Sequence, residues 1–427
     1  MGILELITLL IFIAALFTLL NITVLKLPST IGLMLIALFM SLGILILGTI
    51  FPSLTSSAKG IMSSFDFKEV LLDVMLNFLL FAGALSINLN KLLEEKIPVL
   101  ILATVGTLLS TGIVGGLMYY VFQAFDFNVD LILCLLFGAL ISPTDPIAVL
   151  ALVKKVGISK NLEIKIAGES LFNDGVGVVV FLTILQIAMA QAGVEGGHGH
   201  GGGEVTAGGV ALLFSQEVFG GLALGAAFGF VGFKMLDFID NDHVELEVLV
   251  TISLVMMGGR LSELVHVSAP LAMVVMGLFI GNEGRDDKLA NATGEYVFKF
   301  WHIVDEALNA ILFILIGLEM IVISDTFSLQ HLIIGSIGIL VVLFARLMGV
   351  SIPIGIMSFT RSFEPRTIAI LTWGGLRGGI SVALALSLAE ESFLGEEAKG
   401  IIITTTYCVV VFSILVQGLT IGKLLKK

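Results

Sequence analysis

Runs of about twenty apolar residues dominate the amino-acid sequence, the length at which an α-helix crosses the hydrocarbon core of a bilayer. Bounded by charge or by Pro and Gly, they number about thirteen. They fall near 3–25, 31–51, 70–88, 97–122, 129–153, 164–190, 210–236, 245–265, 268–282, 296–323, 329–357, 366–389 and 401–422. In lipid a helix satisfies its own backbone N–H and C=O groups. The expected fold class is therefore an all-α polytopic membrane protein of about thirteen transmembrane helices, one membrane domain over 1–427. Composition agrees: 57% of residues are hydrophobic and 13% charged, with mean hydropathy +1.09, where a soluble domain carries about a quarter charged residues. The first run is longer than the apolar region of a signal peptide, so no cleaved leader is needed to explain it. Cys134 and Cys408 fall inside spans and read as packing residues, not as a disulfide framework. The net charge of −12 reflects acidic loops such as EESFLGEE (390–397) and indicates no nucleic-acid partner.

Orientation follows from Lys and Arg. One set of loops holds Lys26, Lys91, Lys96, Lys154, Lys155, Lys160, Lys165, Lys234, Arg285, Lys288, Lys299, Arg361, Arg366, Lys423, Lys426 and Lys427, sixteen of the 22 basic residues. The opposite set holds Lys59, Lys68, Arg260 and Lys399, while Arg346 and Arg377 lie within spans. The positive-inside rule places the C-terminus in the cytoplasm and the N-terminus outside, as an odd number of spans requires.

Two aspartates interrupt this apolar background: Asp145 in SPTDPIAV (142–149) and Asp174 in GESLFNDGVGVVV (168–180). A charge at bilayer depth costs ~2.5–3.5 kcal/mol on insertion scales and marks a functional site by default. Pro143 and Pro146 around Thr144–Asp145 cannot both sit in an unbroken helix. The twelfth span carries a second interruption, GGLRGG (374–379) around Arg377. Spans five and twelve differ by an odd number, so they cross in opposite directions, as interrupted helices of two inverted repeats do. The halves are then 1–190 and 245–427, joined by span seven (210–236). Asp145 can neutralise the positive N-terminal ends of the broken helices, and Arg377 the negative C-terminal ends. The plainer alternative is that Pro and Gly merely kink these helices.

Other features weigh less. GGHGHGGGE (196–204), with His198 and His200, reads as a flexible outer loop in preference to a metal site, because a Gly-rich loop supplies no rigid geometry. Gly221, Gly225 and Gly229 share one face of span seven, which permits close helix approach within the chain or across a dimer. Among the in-span acids Asp73, Asp305, Glu306 and Glu319, the pair Asp305 and Glu306, near a broken stretch of span ten, is the candidate for a cytoplasmic cation funnel. Solvated or helix-capping positions are the alternative for all four.

SPTDPIAV and GESLFNDGVGVVV, followed by LFARLMGV (343–350) and WGGLRGGISVALAL (373–386), resemble the sodium/proton antiporters of the NhaP and eukaryotic exchanger branch. The resemblance covers nearly the whole chain. It implies thirteen helices, an ion-carrying core against a dimerisation domain, and two crossed, unwound helices. Asp174 matches the aspartate that exchanges cation and proton, with sodium held by Asp174, Ser170 and Thr144 and the site completed by Asp145 and Asn173. Ser170 lies one helical turn before Asp174, so the two share a side. Glu169 and Arg346 match a structural ion pair inside the core, and Arg377 the charge at the second helix break. Some members carry an acidic residue where FAGALSINL (81–89) has Ala82, which puts a further carboxylate ligand in doubt.

The implied function is an electroneutral sodium (or lithium)/proton antiporter, a homodimer in the plasma membrane serving pH homeostasis by alternating access. Monovalent cations and protons are its substrates, the lipid bilayer its surroundings, and neither cofactor nor enzymatic activity is expected. Ending at Lys427 without a long tail fits a self-contained antiporter of prokaryotic type. Asn173 carries the stoichiometry, because the electrogenic branch has a second aspartate there. With one titrating carboxylate, one proton replaces one cation. Potassium/proton exchange uses nearly the same residues and is the alternative. A membrane aspartyl protease would need a GxGD arrangement that the chain lacks. A channel would need rings of ligands along a continuous path, not one carboxylate site within an inverted repeat.

Overall fold

A computed structural model describes residues 3–62, 69–147, 149–150, 153, 159–193, 207–239, 243–283, 292–324, 327–389, 391 and 393–425. Helix accounts for nearly all of them, and the one β-type pairing among them is an isolated bridge between Asp145 and Leu376. Among the described residues, eight helices are long and apolar enough to cross a membrane, among them Lys96–Ala124, Lys160–Gln191, Leu329–Met357 and Glu396–Leu425. Shorter apolar helices, including Leu131–Ile141 and Gly379–Leu388, fall in other expected spans. Large apolar side chains face outward, Leu340 at 67% exposure and Phe219 at 69%, as lipid contact demands and water would not tolerate in such number. The Gly/His segment 196–204 lies outside the described residues.

Two features differ from the sequence expectation. Ala292–Ile323 is one unbroken α-helix, so Asp305 and Glu306 do not sit near a broken stretch of span ten. No Pro or Gly falls between Tyr296 and Ile316 to interrupt it, and Asn309 Nδ2 donates back to the Asp305 carbonyl at 2.9 Å across one turn. Two short helices, Pro52–Met62 and Leu89–Glu94, were also not expected. The second is started by Asn88, whose side chain accepts from Lys91 N at 3.1 Å.

Spans five and twelve are interrupted. Helix Leu131–Ile141 ends before Pro143, and span twelve divides into Thr367–Trp373 and Gly379–Ala389. Gly221, Gly225 and Gly229 pack within the chain: Cβ atoms there would collide with Ser268, just before helix Ala269–Glu283, and with Ala272 and Phe279 along it. Loops that the Lys/Arg distribution groups together also meet in space. Glu95 pairs with Lys165 and with Arg361, each at 3.2 Å, and Ser159 Oγ donates to the Glu364 carboxylate. Across the molecule Gln330 Nε2 reaches the Phe125 carbonyl, and both residues belong to the opposite set.

Candidate cation site

The two interrupted segments cross and bond directly. Asp145 N donates to the Leu376 carbonyl at 2.8 Å, so unwound backbone from one break satisfies unwound backbone from the other. Each broken end also acquires a side-chain partner. Arg377 Nη1 donates to the carbonyls of Ser142 and Pro143, the latter at 3.0 Å, just past the C-terminal end of Leu131–Ile141. Asp145 Oδ1 accepts from Ile147 N at 2.8 Å. Its other carboxylate oxygen faces Gly378, immediately before helix Gly379–Ala389, where a Cβ would lie 2.7 Å from Asp145 Oδ2. The aspartate therefore lies by a helix start and the arginine beside helix-end carbonyls, each where the backbone dipoles favour its sign.

Glycine is required where the breaks are tightest. A Cβ on Gly378 would lie 2.6 Å from Asp145 Cβ, and one on Gly375 would lie 2.5 Å from Arg346 Nε. The residues flanking Leu376–Arg377 are thus small because a carboxylate and a guanidinium occupy the space.

Helix Lys160–Gln191 carries Glu169, Ser170, Asn173 and Asp174 past this crossing, all buried. Asn173 is fully enclosed. Its Nδ2 donates to Thr144 Oγ1 at 2.8 Å and Glu169 Oε1 at 2.9 Å, while its Oδ1 accepts from Thr144 N at 3.2 Å. Thr144 Oγ1 also lies 3.2 Å from Ser170 Oγ. Arg346, from helix Leu329–Met357, grips Glu169 through two parallel bonds of 2.7 Å, and its Nη2 donates to the Leu371 carbonyl at 3.0 Å near the end of Thr367–Trp373. A bidentate pair of this kind, with its remaining donor satisfied, is geometrically exacting. The Asp174 carboxylate makes no hydrogen bond among the described residues, yet it lies close enough to Asp145 and Glu169 to feel their charges. Thr144 Oγ1 and Ser170 Oγ thus meet one helical turn before Asp174, with Asp145 within electrostatic reach of it.

Of the sequence candidates, Asp174, Ser170, Thr144, Asp145, Asn173, Glu169, Arg346 and Arg377 come together at this crossing. Asp305 and Glu306 stand apart on helix Ala292–Ile323. Asp305 is half-buried and within electrostatic reach of Asp145, whereas Glu306 is exposed.

Sequence reasoning missed the supports of the second break. Ser413 Oγ accepts from Arg377 N at 2.8 Å, and Gln417 Nε2 donates to the Trp373 carbonyl at 3.0 Å. Both lie in a π-helical turn, Ser413–Gln417, a distortion that often accompanies functional sites. A glutamine inside an apolar span was the available signal. Asn309, bonded to Asp305 Oδ1 at 3.0 Å, could have been read from its four-residue spacing.

The sequence profile described as sodium/hydrogen exchanger, transmembrane, matches residues 10–427. The Na(+)/H(+) antiporter NhaP of Pseudomonas aeruginosa is 46% identical over 99% of the chain and 96% of its own length. The Na(+)/H(+) antiporter NhaH of Halobacillus dabanensis is 32% identical over 94% of the chain and 92% of its own. Among solved structures, the sodium proton antiporter MjNhaP1 of Methanocaldococcus jannaschii superposes with a TM-score of 0.76, covering 100% of this chain and 99% of its own at 21% identity, a likeness of fold.

Proposed function

The chain belongs to the sodium/hydrogen exchanger family, and on that premise we propose that it exchanges sodium (or lithium) for protons, one for one, at Asp174. The observation that carries this reading is the disposition of charge at the crossing. Glu169 is neutralised by Arg346 through two 2.7 Å bonds. Asp145 and Arg377 are set against opposite broken helix ends, so each offsets backbone dipoles. Asn173 is neutral, and its amide is committed to Thr144 and Glu169. At the crossing, Asp174 is the carboxylate left without a compensating hydrogen bond among the described residues.

An uncompensated carboxylate at this depth is stable only with a proton or a cation bound. When Asp174 is ionised, Thr144 and Ser170 Oγ, with oxygens of Asp145, supply the hard ligands that sodium prefers. When Asp174 is protonated, the hydroxyls remain bonded to each other and the cation has no charge to hold it. Either loaded form is neutral and can cross with the moving bundle, whereas the empty, charged form cannot, so exchange is obligatory. The two interrupted spans supply a pair of crossed half-helices, which supports reading 1–190 and 245–427 as inverted repeats about span seven. A homodimer in the plasma membrane, with the C-terminus cytoplasmic, completes the proposal.

The test is dequenching of a pH dye in proteoliposomes on addition of sodium, lithium, potassium or calcium. Sodium and lithium are expected to release protons and calcium is not. A response to potassium alone would turn the reading to potassium/proton exchange.

A further inference from the structure

Helix Ala292–Ile323 carries a second carboxylate in a different environment. Glu319 is 3% exposed, and its Oε2 atom is buried without a hydrogen-bond partner. A buried, unpartnered carboxylate oxygen is rare in a native fold and calls for a reason. Neither ordinary alternative applies: the group is not solvated, and it lies inside the helix instead of capping it. Tyr407, on helix Glu396–Phe412, is near enough to feel its charge, and the Tyr407 hydroxyl is likewise buried without a partner. Two polar groups on different helices are thus left unsatisfied within electrostatic reach of each other.

Position along the helix supplies the reason. Asp305 and Glu319 lie seven residues on either side of Leu312. Seven residues return an α-helix to within about 20° of the same face and advance it about 10 Å. Leu312 packs on Gly379, where a Cβ would lie 2.5 Å from its side chain, next to the Gly378 that touches Asp145. Leu312 is therefore level with the crossing, and the two carboxylates flank it on one helix face. Their surroundings differ. Around Asp305, His302, Ile303, Glu306 and Ala307 are exposed, whereas every residue from Leu312 to Glu319 is buried. The stretch around Asp305 is partly exposed, whereas that around Glu319 is enclosed by protein.

Building on the exchange reading above, we propose that Glu319 is the carboxylate that hands the monovalent cation to Asp174 on the face enclosed by protein in this structure. Asp305 occupies the corresponding place on the partly exposed face, and the packed Leu312 separates the two. When the bundle carrying Asp145 and Asp174 shifts along this helix, the unsatisfied oxygens of Glu319 and Tyr407 become ligands for the incoming ion. Cation binding there replaces the missing partner without a change in helix geometry.

Glu319→Gln removes the charge and keeps the shape. In membrane vesicles of the two orientations from an antiporter-deficient host, sodium-driven proton flux gives the sodium half-saturation for each face. Glu319→Gln is expected to raise it roughly tenfold or more on the face away from the Lys/Arg-rich loops, the scale of losing one bond to a charged group. On the other face it should stay within about twofold, and Glu319→Asp should recover most of the loss. A uniform fall in flux on both faces, or no change on either, overturns the proposal. Melting temperature separates misfolding from a transport effect, since Glu319→Asp keeps the carboxyl. If the unaltered protein shows no sodium/proton exchange from either face, the exchange reading itself fails; exchange with a symmetric Glu319→Gln removes only this role.

Discussion

At the scale of single residues, three side chains that look alike in sequence do different work. Glu169, Asp145 and Asp174 are all acids in apolar segments, yet only Asp174 lacks a hydrogen bond among the described residues. Asp174→Asn keeps size and hydrogen-bonding capacity but removes the titrating charge. Cation-driven proton flux in proteoliposomes should disappear while the melting temperature holds, and flux near the wild-type rate would end the assignment. For Glu169 the expected loss is of stability. Arg346→Ala leaves a buried, unpaired carboxylate, a defect of ~3–5 kcal/mol. Removing both charges in Glu169→Gln, Arg346→Met should regain part of it, because no unpaired charge is left buried and Asn173 still bonds Thr144 Oγ1, although the Leu371 carbonyl loses both guanidinium donors. Strictly additive losses in thermal melts would show that the pair is not coupled.

At the scale of elements, the site depends on two breaks that hold each other open. An ordinary helix end leaves four carbonyls without partners. Here Arg346 takes that of Leu371, Gln417 that of Trp373, and Arg377 those of Ser142 and Pro143. The arrangement leaves no room beside Leu376–Arg377. Gly378→Val should displace Asp145 and lower sodium affinity by more than tenfold, whereas Gly422→Val, in open space on the last helix, should leave it unchanged. Equal sodium half-saturation in the two variants would mean that the tight contact at Gly378 does not position the ligand. Span seven teaches a related lesson. Its glycine stripe is as compatible in sequence with a dimer as with an internal neighbour, and only the position of helix Ala269–Glu283 resolves it.

At the scale of the whole molecule, the proposed one-for-one exchange predicts how the membrane potential acts on the cycle. The Asn173 amide is fully committed to Thr144 and Glu169, so it adds no titrating group to the crossing. If one cation replaces one proton, a potassium/valinomycin potential should leave the sodium/proton balance point where it is. At 100 mV, a cycle moving one net charge would be biased by ~2.3 kcal/mol. A shift of that size would identify a second proton carrier, with Asp145 or Asp305 the first to examine.

The sequence by itself determined the fold class, the family resemblance and most of the crossing. Helix length and hydropathy are set locally by the bilayer, and Pro143, Pro146 and GGLRGG interrupt a helix whatever surrounds them. The same local signals misled at span ten, where a broken stretch was expected near Asp305 and Glu306, because acids raise polarity without disrupting the hydrogen-bonding ladder of Ala292–Ile323. Only the tertiary structure decided which acid was compensated. Arg346 lies 177 residues from Glu169, and Arg377 lies 235 from Ser142. Ser413 gave no signal in sequence, Gln417 gave only that of a glutamine in an apolar run, and Glu319 was one in-span acid among four with nothing local to set it apart. Their meaning depends on which helix lies opposite, and that is fixed by packing across the bundle, not by any local preference of the chain.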